Sequence, residues 1–262
     1  MRLYGRKISS GQAKGDVIIE PGAVSFLGGI DPEEGVVVDS ANQVSGQSIA
    51  GKVFAFSTGK GSTVGSYVIY RMKKSDTAPV AIINGSAETI VASGAIISGI
   101  PMIDRIDISL LRNCDSVMVN ADEGYVDIPR VRVKDAITVM IRKSDRVLIL
   151  KRSERVGSCK GRWAGVSGHI EKGDENMEER AMKEVEEETK MRVKIIRSGE
   201  PILARDRSVI WRIHPFLAEA KRDEEPEIDW EHSKYRWIKP EEVYDFNTVP
   251  KLDKVMENLK LL

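Results

Sequence analysis

Cysteine is nearly missing from this chain, with Cys114 and Cys159 the only two among 262 residues. A disulfide framework is therefore not expected, and a cytosolic chain with reduced thiols fits best. An iron–sulfur cluster normally takes about three or four thiolates, so the chain cannot build one by itself. Net charge is missing as well: 40 Lys and Arg balance 40 Asp and Glu. No global field draws the chain to nucleic acid or to an anionic membrane. Long apolar runs are also lacking. The longest, Thr89 to Ile103, is broken by Ser93, Gly94, Ser98, Gly99 and Pro101, well short of the roughly 20 residues a membrane span needs. The opening MRLYGRKISSGQ has no apolar stretch, so no secretory signal is expected.

What is present is unevenly distributed. Residues 1–130 are rich in Gly, Ser, Ile and Val, whereas 131–262 hold most of the Glu, Lys and Arg and all four Trp. That shift predicts two domains, 1–130 and 134–262, joined near DIPRVRVKD (127–135). The first half reads as short β-branched strands at 17–20, 35–39, 52–56, 66–72, 79–84 and 116–120, with Gly-bearing breaks between them. Single helical turns are expected near 86–94 and 107–112. In the second half, 136–141 and 146–152 read as a hairpin, and 163–168 as a strand ending in a Gly loop. Further strands are expected at 209–220 and 235–238, a helical turn at KPEEV and a helix at the end. Residues 175–189 form the clearest helix, with Met177, Ala181, Met182 and Val185 as its apolar stripe.

That helix carries the strongest chemical signal. Glu184, Glu187 and Glu188 fall at i, i+3 and i+4 and so share one face beside the stripe. Like charges at that spacing repel unless a cation lies among them, and hard oxygen ligands suit Mg²⁺ or Mn²⁺ shared with a substrate phosphate. A solvated acidic face is the ordinary alternative for a Glu run. The surrounding sequence decides between them: GHIEKGDENMEERAMKEVEEET, preceded by RWAGVS, resembles the Nudix box. The resemblance extends through WRIHPFLAEA and IDWEHSKYRWIKPEEV over most of 133–252. Lys183 stands where the box has its Arg, and Lys190 where it has its Gly. Glu175 or Asp174 fills the first box carboxylate, depending on the end from which residues are counted. The resemblance implies an α/β/α sandwich that hydrolyses a diphosphate with divalent metal. Glu187 and Glu188 would be ligands, and Glu184 a ligand or the base that activates water. Glu231 is a further candidate ligand. Trp230, His232 and Trp237 are candidates to line the substrate pocket, although aromatics in strands more often belong to the core. Trp211, Phe216 or Trp230 would cover the tail of an isoprenoid diphosphate or stack on a nucleotide base.

GKGSTVGS (59–66) is not a phosphate-binding P-loop, because Gly61 separates Gly59-Lys60 from Ser62 and Phe54 occupies the distant Gly position. Alone it reads as a hairpin turn. Together with GRKISSGQAKGDVI, AVSFLGGIDPEEGVVVD, GQSIAGKVFAF, APVAIIN and GAIISGIPMID, it resembles the small subunit of archaeal phosphomevalonate dehydratase, a swivelling β/β/α domain of the aconitase X group. That resemblance covers about 1–127 and implies that Ser62 is the proton acceptor, with Lys60 and Gly61 in its loop. It also implies a large-subunit partner that carries the iron–sulfur cluster. The expected whole is a bifunctional α/β chain acting on phosphate and diphosphate metabolites. Its rivals are a hydrolase tethered by a docking module and a diphosphate sensor.

Overall fold

The computed structural model describes residues 1–170, 176–221 and 224–262. It divides into two compact units, Met1–Arg132 and Val133–Leu262.

The first unit opens with β1 (Arg2–Tyr4), β2 (Arg6–Ser9) and the long β3 (Gln12–Ser25), followed by a small ribbon of β4 (Ile30–Asp31) and β5 (Val36–Val37). Then come β6 (Val53–Lys60), α1 (Gly65–Lys74), β7 (Ala81–Asn84), α2 (Thr89–Ser98), β8 (Met102–Asp104), a 3₁₀ turn at Ile108–Leu110, β9 (Ser116–Asn120) and β10 (Tyr125–Asp127). The sheet runs β1-β10-β9-β3-β6-β7-β8-β2. Its centre, β3-β6-β7-β8, is parallel, and the remaining pairings are antiparallel. Parallel neighbours need crossovers: α1 and α2 provide those from β6 to β7 and from β7 to β8, and the segment with β4 and β5 provides the one from β3 to β6. Phe54, Phe56, Ile82 and Met102 from the strands share one core with Ile69, Met72, Val91 and Ala95 from the helices.

Residues 66–72, expected as a strand, are helical and belong to α1. The β-branched and aromatic run SYVIYRM favours a strand by composition, but its burial follows a helix. Gly65, Ile69 and Met72 are buried at i, i+4 and i+7, while Tyr67 and Tyr70 face outward. Tertiary packing overrides the local preference. The Gly–Ser stretch between β6 and α1 is thus a strand-to-helix connection and not a hairpin. The 35–39 run supplies only the two-residue β5.

The second unit holds β11 (Arg132–Lys143), β12 (Arg146–Arg152), β13 (Trp163–Ala164), β14 (Val166–His169), α3 (Met177–Thr189), β15 (Lys194–Ser198), β16 (Ile202–Asp206), β17 (Val209–Glu219), β18 (His232–Ile238), a 3₁₀ turn at Pro240–Asp245 and α4 (Leu252–Asn258). The sheet path is β13-β12-β11-β17-β15, with β14 on β11, β16 on β17 and β18 on β12. The expected hairpin pairs Arg142 with Val147 and Lys143 with Arg146.

Strand alternation builds the sandwich. Ile137, Val139, Ile141, Leu148 and Leu150 face the cluster that contains Ala181 and Val185 of α3. Met140, Val147 and Ile149 face the cluster that contains Val255 and Met256 of α4. Helix α3 starts behind Asn176, whose side chain accepts the N–H groups of Glu178 and Glu179. Its apolar stripe is narrower than expected. Ala181 and Val185 are buried, but Met177 and Met182 remain 39 % exposed. Among the described residues, no helix is long and apolar enough to cross a membrane.

Candidate active sites

In the second unit, α3 places Glu184, Glu187 and Glu188 on the wall of a cleft of about 420 Å³. Arg152, His169, Trp211 and Glu231 line other parts of it. Glu184 and Glu188 are buried, and Glu187 is half-exposed. Gly168, at the end of β14, makes room for this arrangement. A Cβ there would lie 2.1 Å from Glu184 Oε1, so any side chain would displace the carboxylate.

Burial and mutual repulsion dominate the electrostatics. Burial pushes the proton affinity of Glu188 up to about 9, with Glu184, Glu231 and Asp229 adding to it. Burial also raises Glu184, as do Glu187 and Glu231, while Arg180 opposes them. Glu188 Oε2 has no hydrogen-bond partner among the described residues. A buried carboxylate left in that condition is costly unless a proton or a cation satisfies it. The donor set fits a hard divalent cation: carboxylate oxygens on an open cleft, one of them without a hydrogen-bond partner among the described residues. As the side chains stand, Glu184 is turned to Arg180 and Glu187 lies 3.7 Å from Lys183. Among the described residues, no three ligand-type groups converge on one point.

Glu231 lies on the cleft, held by the bond from Ser153 N–H to its carbonyl at 2.7 Å. Glu175 and Asp174 lie outside the described residues. The aromatic candidates separate. Trp211 lines the cleft and packs on His169, with ring centroids 4.9 Å apart. Phe216 is buried in the core facing α3 and is not available to a substrate. Trp237 packs against the same core and donates Nε1–H to Glu225 at 2.9 Å. Trp230 is 58 % exposed and lines no part of the cleft. His232 is buried, with Nε2 3.6 Å from Glu188 Oε2. Helical spacing alone pairs Arg180 with Glu184. The places of Arg152, Gly168, His169 and Asp229 carry no signal in spacing, because the sheet brings them together.

In the first unit, β6 ends at Lys60, paired with Ser25 of β3. Gly61 follows with φ +106°, a conformation that L side chains rarely adopt, and a Cβ there would lie 2.8 Å from Ser25 Oγ. Ser62 then leads into α1. Its carbonyl accepts Gly65 N–H at 2.8 Å, and its Oγ accepts Val64 N–H at 3.3 Å. Ser62 and Lys60 are both exposed, and no hydrogen bond joins them. The loop thus presents a hydroxyl at a helix start with one backbone N–H already directed to its oxygen.

Each unit carries its own chemistry-bearing site, and together they define a two-domain enzyme chain. Residues 2–128 match the aconitase X swivel domain family, and residues 132–259 match the NUDIX domain family. The first half is 59 % identical over 128 residues to the phosphomevalonate dehydratase small subunit of Thermococcus onnurineus, covering 49 % of this chain and 98 % of that protein. It is 58 % identical to a chain of aconitase X from Thermococcus kodakaraensis in a holo-form crystal structure, covering 49 % of this chain and 98 % of that one, with a TM-score of 0.48. The second half is similar to a MutT protein from Methanosarcina mazei at 20 % identity, covering 50 % of this chain and 94 % of that one, with a TM-score of 0.44. The chain belongs to the aconitase X swivel family through its first half, and its second half carries a match to the NUDIX domain.

Proposed function

We propose that the chain joins two activities. Its first unit serves as the small subunit of a phosphomevalonate dehydratase, which converts 5-phosphomevalonate to anhydromevalonate phosphate and water. The relatives' names and 59 % identity support this reading. As an alkoxide, held by the N–H of Val64, Ser62 Oγ takes the proton from the substrate carbon and becomes the neutral hydroxyl. Lys60, at the same strand end, adds positive charge to the loop. An iron–sulfur cluster on a large-subunit partner would supply the Lewis acid for the departing hydroxyl. The two cysteines of this chain belong to different units and give it no cluster of its own. Purification with and without a candidate large subunit tests this assignment. Dehydration by the iron-free chain alone would overturn it.

The second unit is a divalent-metal hydrolase of a diphosphate. One observation carries this reading: a buried Glu188 oxygen with no hydrogen-bond partner among the described residues, beside Glu184 in an open cleft. Glu184, Glu187, Glu188 and Glu231 are the residues that would hold Mg²⁺ or Mn²⁺. The cation would neutralise the charge that builds on the phosphates. A water oxygen attacks one phosphorus while the bridging P–O bond breaks, and Glu184 takes the water proton. The raised proton affinity of Glu184 suits that role near neutral pH.

For the substrate's second arm, the cleft offers Trp211 against His169, with Arg205 and Asp206 beside them. Phe216 and Trp230 do not contribute, so the aromatic cover for an isoprenoid tail is reduced to Trp211. A planar base stacked on Trp211 fits this wall better, which favours a nucleoside diphosphate derivative. Steady-state kinetics on both classes test the choice. A kcat/KM for isopentenyl or dimethylallyl diphosphate above that of every nucleotide would reverse it.

A further inference from the structure

We infer that His232 is a positioning residue that holds Glu188 for the cation, an inference that rests on the metal-hydrolase reading above. His232 opens β18, and its side chain is buried. Its ring lies between two carboxylates, with Nδ1 3.4 Å from Asp229 Oδ1 and Nε2 3.6 Å from Glu188 Oε2. That oxygen of Glu188 is the one with no hydrogen-bond partner among the described residues.

The backbone fixes this juxtaposition. Asp229 N–H donates to the Glu188 carbonyl at 3.2 Å and Glu227 N–H to the Thr189 carbonyl at 2.8 Å, so this segment caps the end of α3. Asp229 Oδ1 also accepts Glu231 N–H at 3.0 Å, and His232 N–H donates to the Asp229 carbonyl at 3.3 Å. Arg152 of β12 is the register partner of His232. One carboxylate, Asp229, thus orders both a candidate ligand, Glu231, and the ring that faces another, Glu188. A shift of roughly half an ångström brings Nε2 into hydrogen-bond range of Oε2. A ring that carries both N–H protons then donates Nδ1–H to Asp229 and, through Nε2–H, gives the Glu188 oxygen the donor it lacks. Each carboxylate oxygen keeps a further lone pair for a cation. Outer groups that orient a ligand in this way commonly change metal affinity by about 10- to 100-fold when removed.

Mn²⁺ binding to the full-length chain, read from the electron paramagnetic resonance of free Mn²⁺, tests the role without any turnover. His232→Leu is expected to weaken binding about 10-fold or more. His232→Gln, whose amide N–H reaches toward the Nε2 position, is expected to stay within about 3-fold of wild type by the same argument. Should His232→Leu fail to fold, His232→Asn replaces it. Its amide reaches Asp229 but falls short of Glu188, so it is expected to behave as His232→Leu does. No Mn²⁺ binding by the wild-type chain would overturn the metal-hydrolase reading itself. Tight binding by the wild type, matched by the Leu or Asn variant, would overturn the positioning role alone.

Discussion

Glu188→Gln separates the cost of the site from its use. The Glu188 carboxyl is buried, and its proton affinity rises from the ordinary 4.5 to about 9. Between those values the folded chain binds more protons than the unfolded chain, so stability falls as pH rises through that window. At pH 7.5 the penalty spans about three pH units, or about 4 kcal/mol at about 1.36 kcal/mol per unit. Water entry and relaxation reduce such figures in real proteins, which leaves roughly 1–3 kcal/mol. At pH 5 less than about 1 kcal/mol remains. In a chelator, Glu188→Gln should therefore stabilise the second unit at pH 7.5 by roughly 1–3 kcal/mol and be nearly neutral at pH 5. Added Mg²⁺ should stabilise the wild type by binding only the folded state, and the variant should lose that gain. Urea unfolding followed by tryptophan fluorescence reads this unit alone, because all four Trp lie beyond residue 131. A Gln variant less stable than wild type at pH 7.5 in chelator, or a difference that does not change between pH 5 and pH 8.5, would refute the reasoning.

Three further outcomes are expected. Ser62→Ala, assayed with the large subunit, should abolish dehydration while leaving diphosphate hydrolysis unchanged; dehydration near the wild-type rate would remove Ser62 from its role. Gly168→Ala puts a Cβ 2.1 Å from Glu184 Oε1 and should lower kcat for hydrolysis about 10- to 100-fold without touching dehydration. Asp104→Asn breaks the pair between a buried carboxylate and the half-exposed Arg6, whose Nη2 and Nε lie 2.7 and 3.0 Å from it. Burial raises the proton affinity of Asp104, but Arg6 and the Ala87 N–H outweigh it and leave it lowered. The carboxylate therefore contributes stability above its unfolded value near 4, and that stability is lost as pH falls. The variant should be less stable by about 1–2 kcal/mol at pH 7, a figure held down by solvent screening of the half-exposed Arg6, with the gap closing below about pH 4 in acid unfolding followed by circular dichroism.

The sequence disclosed elements wherever local pattern and burial agree. The hairpin of β11 and β12 alternates because the sheet is covered on both faces, and the spacing of Glu184, Glu187 and Glu188 survives in α3 because a helix preserves its own period. Helix α1 misled because Tyr67, Val68, Ile69 and Tyr70 favour strands by type, and only the packing of Ile69 and Met72 shows the period. Phe216 and Trp230 were both plausible pocket residues by type, yet β17 turns one into the core and the other is exposed off the cleft. The relation among Asp229, His232 and Glu188 was beyond reach. Asp229 and His232 are close in sequence, but nothing in their spacing says that β18 brings them against α3.

The two candidate sites use helices in opposite senses. Helix α1 carries Arg71, Lys73 and Lys74 in its last turn, which suits the helix dipole, and has no acidic residue in its first turn to neutralise the positive end. Ser62 lies just before that positive end, where the alkoxide of its proposed role would be stabilised. Helix α3 does the reverse. Its last turns hold Glu184, Glu187 and Glu188, with no basic residue in the final turn, so the carboxylates meet the negative end of the dipole. Each such placement costs a fraction of a kcal/mol on an exposed helix and more where it is buried. A helix evolved for stability alone would not collect three acids there. Arg180 and Lys183 offset part of that cost at Glu184 and Glu187, and the part left over falls on Glu188, whose Oε2 has no hydrogen-bond partner among the described residues. The proposed cation would gain most at this end of α3, where the dipole, the neighbouring carboxylates and the buried Glu188 oxygen all add negative potential.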